Sequence, residues 1–155
     1  MSISRQAATD ALREFRAASH IIAKIHANYG ERWVTTFADS PTADTGFTDA
    51  ELERYRLARE HLIKSIELNP FFPDAHWMLA NAHSEIDDDT DLLLKYYNSC
   101  LDLDPWHDDV IVARMGVLME NGDLLGAERD LEMLERLESS HAGPMRTHFD
   151  KLPDA

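Results

Sequence analysis

Eight histidines and a single cysteine are the side chains of this sequence best suited to chemistry. Imidazole binds zinc and titrates near neutrality, and a thiolate is a nucleophile and a metal ligand. His76 and His83 stand seven residues apart and share one face of a helix. No third ligand accompanies them, and a histidine pair alone does not complete a zinc site, so packing is the simpler reading. His20, His26, His61, His107, His141 and His148 fall into no ligand motif. Asp87, Asp89 and Asp91 alternate as in an EF-hand calcium loop, but Leu92 stands where the turning glycine belongs and Asn98 where the closing glutamate belongs. Cys100 lies in an apolar-periodic segment, where a thiol behaves as a small hydrophobe. There is no Gly-rich phosphate loop, no Gly-x-Ser-x-Gly elbow and no supported Cys-His-Asn set. The expectation is a protein that is not an enzyme, with no catalytic residues, no metal site and no cofactor.

Charge narrows the partners. Fifteen Lys and Arg against 29 Asp and Glu give a formal charge of −14. That balance repels nucleic-acid phosphates and anionic membrane surfaces, so neither is an expected partner. It serves solubility or steers a basic partner, and net charge does not separate the two. The segment from Met1 to Phe15 carries charge throughout without an apolar h-region, and nowhere do about eighteen apolar residues run together. A cytoplasmic location is expected.

Apolar residues recur every three or four positions, the period of amphipathic helices, and strand-type alternation is nearly absent. A first helix is predicted from Ser4 to Asn28, with Ala8, Leu12, Phe15, Ala18, Ile22 and Ile25 on its stripe and Gly30 as its stop. Trp33 to Phe47, with Pro41 and Gly46, has loop composition. Thr48 and Glu51 fit a capping box that opens a helix from Asp49 to Leu68. Further helices are predicted over Asp74 to Ile86, Leu92 to Leu103, Asp108 to Glu120 and Leu124 to Leu137, with a short one from Met145 to Leu152. Asp87, Asp88, Asp89 and Asp91 suit the turn and first helical turn that follow Ile86, where carboxylates cap amides. The acidic faces read as solvated, with local pairs such as Glu51 with Arg54 and Glu132 with Arg136.

Pro70 and Pro105 each close a helix and lie 35 residues apart. Before them Ala58 matches Leu93, Leu62 matches Tyr97, Ser65 matches Cys100 and Ile66 matches Leu101. A third unit continues with Ala127, Leu131 and Leu134, then departs at Glu135 and Ser139. This pattern, carried best by Ala58 to Pro70 (AREHLIKSIELNP) and next by Leu93 to Pro105, resembles the tetratricopeptide repeat family. The resemblance implies an all-α, antiparallel helix-pair solenoid, a right-handed superhelix of six to seven helices. Its expected plan is one domain over 1–155: a divergent first repeat 1–69 with an inserted loop at 30–47, a second repeat 70–104, a third repeat 105–138, and a tail or capping helix 139–155.

In that family the first helix of each pair lines a concave face that takes a peptide or a partner's helix. The resemblance places Asp74, Trp77, Met78 and Asn81 on that face in the second repeat, Asp109, Val112 and Ala113 in the third, and Arg16 and His20 in the first helix. Trp77 is the expected anchor, being large and amphipathic. Family members that grip a C-terminal carboxylate use lysine, asparagine and arginine, whereas Asp74, Met78, Asp109 and Ala113 occupy such places here. An acidic face suits a basic or amphipathic protein segment instead. The chain is also loosely similar to the tetratricopeptide chaperones of type III secretion translocators. The competing reading is a homodimer or scaffold built through Trp33, Phe37, Phe47, Phe71 and Phe72, and a metal-dependent hydrolase using the histidines stands third.

Overall fold

The computed structural model describes the backbone of residues 2–39 and 46–153 and the side chains of 2–31 and 46–153. Among the described residues the chain is all-helical. Seven helices follow in order: α1 (Arg5–Asp39), α2 (Asp49–Leu68), α3 (Pro73–Ile86), α4 (Thr90–Leu103), α5 (Asp108–Glu120), α6 (Leu124–Arg136) and α7 (Ala142–Phe149). They form two compact units, Met1–Asp88 and Asp89–Ala155, divided in the turn between α3 and α4. No helix among the described residues is long and apolar enough to cross a membrane.

In the first unit α1 packs on α2 and α2 on α3. The buried line of α1 is Ala11, Ala18 and Ile25, so its centre is rotated from the expected stripe and Leu12 is exposed. Small residues sit where helices approach most closely, and larger ones flank them. On α2 the buried residues include Tyr55, Ala58, Leu62 and Ser65. Ser65 Oγ donates to the Ala11 carbonyl at 2.8 Å, a bond that needs the α1 backbone within reach of a short side chain. The Phe15 and Phe72 rings meet edge-on at 4.8 Å. The capping box forms as expected: Glu51 N–H donates to Thr48 Oγ1 at 3.2 Å, and Thr48 N–H donates to Glu51 Oε2 at 2.9 Å.

The first helix departs from its expected end. Gly30 does not stop it; α1 continues through Trp33 to Asp39, segments expected to be loop. One glycine costs a helix interior only about 1 kcal/mol. Tyr29, Trp33 and Phe37 keep a four-residue spacing across it, so the helical pattern persists. The rest of the expected loop, 40–45, lies outside the described residues. Phe47, at its far end, packs its ring on Tyr29 at 4.7 Å and on Tyr55 at 5.2 Å.

The second unit packs α4 on α5, α5 on α6 and α6 on α7. Its core includes Tyr97, Cys100, Leu101, Val110, Ile111, Met115, Ala127, Leu131 and Leu134. One guanidinium joins three of these helices. Arg114 donates from Nε and Nη2 to the two oxygens of Asp130, at 2.9 and 2.6 Å, and from Nη1 to Asn98 Oδ1 at 2.9 Å. Gly122 has φ +77°, a left-handed conformation that suits the α5–α6 turn. Gly126 lies so close to Asp123, which caps α6, that a Cβ there would meet Asp123 Oδ2 at 2.6 Å.

The turns at the two prolines share one local geometry. Asn69 and Asp104 cap the ends of α2 and α4, each donating its amide to the buried residue four before it, Ser65 and Cys100, at 2.9 Å. Each then accepts a hydrogen bond through its side-chain Oδ1, from the Phe71 amide at 3.1 Å and the Trp106 amide at 3.3 Å. The intervening prolines cannot continue the helix, and the Asx turn redirects the chain into the next one.

Two stability outcomes follow. Leu62→Ala leaves a cavity between α2 and its neighbours and lowers unfolding free energy by about 2–5 kcal/mol in chemical denaturation. Glu138, at φ 52° just after α6, is a left-handed non-glycine residue. Glu138→Gly relieves that conformation and raises stability by about 1 kcal/mol in the same measurement.

Candidate functional site

The residues expected to bind a partner lie on two helices, one in each unit, with two more on α1. On α3, Ala75, His76, Leu79, Ala80, Ala82 and His83 are buried. Trp77, Met78 and Asn81 form a second, half-buried face, and Asp74 is exposed at its start. The His76 ring is turned inward, its Nε2–H donating to the Pro70 carbonyl at 2.9 Å. Asn81 lends its own carbonyl to the Ser84 hydroxyl at 2.8 Å. Arg16 and His20 are exposed and four residues apart on α1, so they share one face.

On α5, Val110, Ile111 and Met115 are buried, while Val112, Ala113, Gly116 and Val117 are half-exposed. This helix is apolar around most of its circumference, more than its two neighbours cover. Asp109, expected on the groove face, accepts through Oδ1 from Nε2 of His141, the residue before α7, at 3.0 Å.

Polar groups pair between the first unit's helices. Glu14 accepts from His61 Nδ1 at 2.6 Å and from Lys64 Nζ at 3.2 Å. The bond from His61 holds the Glu14 carboxyl below its usual range, and Lys64 adds to this against a smaller opposing effect of burial. Burial pushes the Tyr55 phenol well above its usual value, helped by Glu85 and Glu51. Its hydroxyl contacts His26 Nε2, joining α1 to α2.

Local pairing differs from expectation. Glu51 turns its carboxylate to the Thr48 amide. Glu132 and Arg136 do not pair; instead Glu135 accepts from Arg146 Nε and Nη2 at 2.8 and 2.9 Å, tying α6 to α7. A fork geometry matches carboxylate oxygens better than a single helical contact. Arg136 lies, with Arg114 and Arg129, around an open pocket of about 420 Å³ that Leu101, Pro105 and Ile111 also line.

One cluster was not foreseen. His107, Asp108 and Asp109 bring one ligand atom each within 4.8 Å of one another at the start of α5. Ser139 Oγ donates to Asp108 Oδ2 at 2.8 Å, and His141 approaches Asp109 from the same segment. The adjacency His-Asp-Asp was visible in the sequence, but the return of residues 139–141 was not. No protein-family model matches the chain, and no curated protein matches it.

The Glu14 contacts carry a pH dependence. A carboxyl held below its ordinary value contributes stability that is present above that value and lost as pH falls through the lowered one. Between about pH 5 and about pH 3, the stability of Glu14→Gln therefore falls less steeply than that of the wild type. Denaturant melts at successive pH values measure this, and parallel profiles would remove Glu14 from the account.

Proposed function

We propose that this chain is a protein-interaction module of the tetratricopeptide kind, an adaptor or chaperone acting in the cytoplasm. It binds a peptide or helix of a partner through the first helices of its repeats. The observation that carries the reading is the second face of α3 and α5. Each helix buries one side and leaves apolar positions on another, Trp77 and Met78 in one and Val112 and Ala113 in the other. Apolar positions grouped on one helix face are a common mark of an interaction site. Asp74 and Asp109 beside them, and the charge of −14, favour a basic or amphipathic segment. The equivalent turns at Asn69 and Asp104 support the repeat that the sequence resembles.

Self-association is the second reading, favoured by Phe71 at 51%, Trp106 at 70% and Leu125 at 71% exposure. Two aromatics first counted toward it are engaged internally, Phe47 on Tyr55 and Phe72 on Phe15. The side chains of Trp33 and Phe37 lie outside the described residues.

The test is an affinity capture with wild type and a Trp77→Ala, Asn81→Ala variant shown by circular dichroism to be folded. The proposal expects a partner held by the wild type and lost, or weakened by about tenfold or more, in the variant. A partner held equally by both would move the site away from α3. No partner, together with dimers in light scattering that Trp106→Ala abolishes, would establish self-association instead.

A further inference from the structure

We propose that Asn121 is a site of spontaneous deamidation, and that opening of the α5–α6 turn sets the rate at which it is converted to aspartate and isoaspartate. The inference concerns the second unit alone and does not depend on the peptide-binding reading.

Asn121 is the only asparagine of the sequence that is followed by glycine. The chemistry of that pair is intramolecular. The Gly122 backbone nitrogen, after losing its proton to hydroxide, attacks Asn121 Cγ. The Cγ–Nδ2 bond breaks, the nitrogen leaves as ammonia with a proton taken from water, and a succinimide ring closes. Water then opens the ring. Addition at the side-chain carbonyl carbon gives aspartate, and addition at the main-chain carbonyl carbon gives isoaspartate, whose main chain runs through the former side chain. Glycine favours the first step because no Cβ crowds its nitrogen. Asn121, Gly122 and Asp123 are all exposed, so water and hydroxide reach them.

The folded turn opposes the reaction. The Gly122 N–H donates to the Met119 carbonyl at 3.0 Å, which holds the proton that must be lost. Asn121 ends α5 at φ −83° and ψ −2°, values that direct the Gly122 nitrogen away from the Asn121 side chain. Ring closure requires ψ to rotate until that nitrogen and Cγ lie on one side of the Cα–C bond. The rotation breaks the Gly122 bond to Met119 and the 2.9 Å bond from the Asp123 amide to the Leu118 carbonyl. It uncovers little core, because the three turn residues are already exposed, and openings of that kind lie at the low end of local unfolding free energies.

Both products weaken the turn. Aspartate adds a charge at the negative end of the α5 dipole, beside Asp123. Isoaspartate lengthens the main chain immediately before Gly122, whose left-handed φ of +77° closes the turn.

The experiment incubates the full chain, folded and urea-unfolded, in water enriched in heavy oxygen. Peptide mapping by mass spectrometry locates the label, and an isoaspartate-specific methyltransferase counts the isoaspartate. The expected result is label at Asn121 in the folded chain, appearing more slowly than in the unfolded chain by about tenfold or more. The folded rate stays flat in urea below the unfolding transition, because an opening that exposes little surface has little urea dependence. Asn121→Gln, which would have to close a larger ring, takes up no label at that position over the same time. Three results would each overturn the proposal: a folded chain that reacts as fast as the unfolded one, a rate that rises with urea in step with global unfolding, or no label at Asn121 in the folded chain while the unfolded chain reacts.

Discussion

A helix with one apolar stripe can hide it only against another surface, and within each unit of this chain that surface is the next helix in sequence. The packing of α1 on α2 shows what this demands. Alanines at 11, 18 and 58 are fully buried, and Ser65 reaches the Ala11 carbonyl. Side chains of that size let two backbones approach until a hydroxyl can bridge them. A larger residue at such a place forces strain or separation, because protein interiors have little spare volume. The remaining packing of the unit, including the edge-on contact of Phe15 with Phe72, lies around this close approach.

Polar groups in the interior tie neighbouring helices together. Arg114 spans α4, α5 and α6 through Asn98 and Asp130, and its planar fork meets both oxygens of the buried carboxylate. His76 is held by a backbone carbonyl, and burial pushes the Tyr55 phenol above its usual value. Apolar positions remain half-exposed on α3 and α5, and the segment after α6 returns to the start of α5 through His141 and Asp109. The unusual left-handed backbone at Glu138 belongs to this return, since Ser139 and His141 make their contacts immediately after it.

The helices themselves were legible from residues close in sequence. Capping at Thr48 and Glu51, the prolines at 70 and 105, and the turn at Gly122 act over three or four residues, the range at which apolar periodicity and turn chemistry operate. The exception is instructive: Gly30 reads as a stop only if glycine overrides the spacing of its neighbours, and a cost of about 1 kcal/mol does not. Arg16, His20 and Asp74 are exposed, and Trp77, Met78, Asn81, Val112 and Ala113 half-covered, at places expected only from the family resemblance.

Tertiary structure decided which distant residues meet. Ser65 with Ala11, His61 with Glu14, and His141 with Asp109 are separated by 54, 47 and 32 residues. No local pattern encodes these pairs, because they depend on the crossing of whole helices. The same holds for Arg146 pairing with Glu135, where a fork from the neighbouring helix meets a carboxylate that helical spacing had left unassigned. The sequence by itself determined where the chain is helical and which faces are apolar, since both follow from neighbours one or two turns away. Only the fold determined which polar atoms converge, since convergence depends on the angle and depth at which those faces pack.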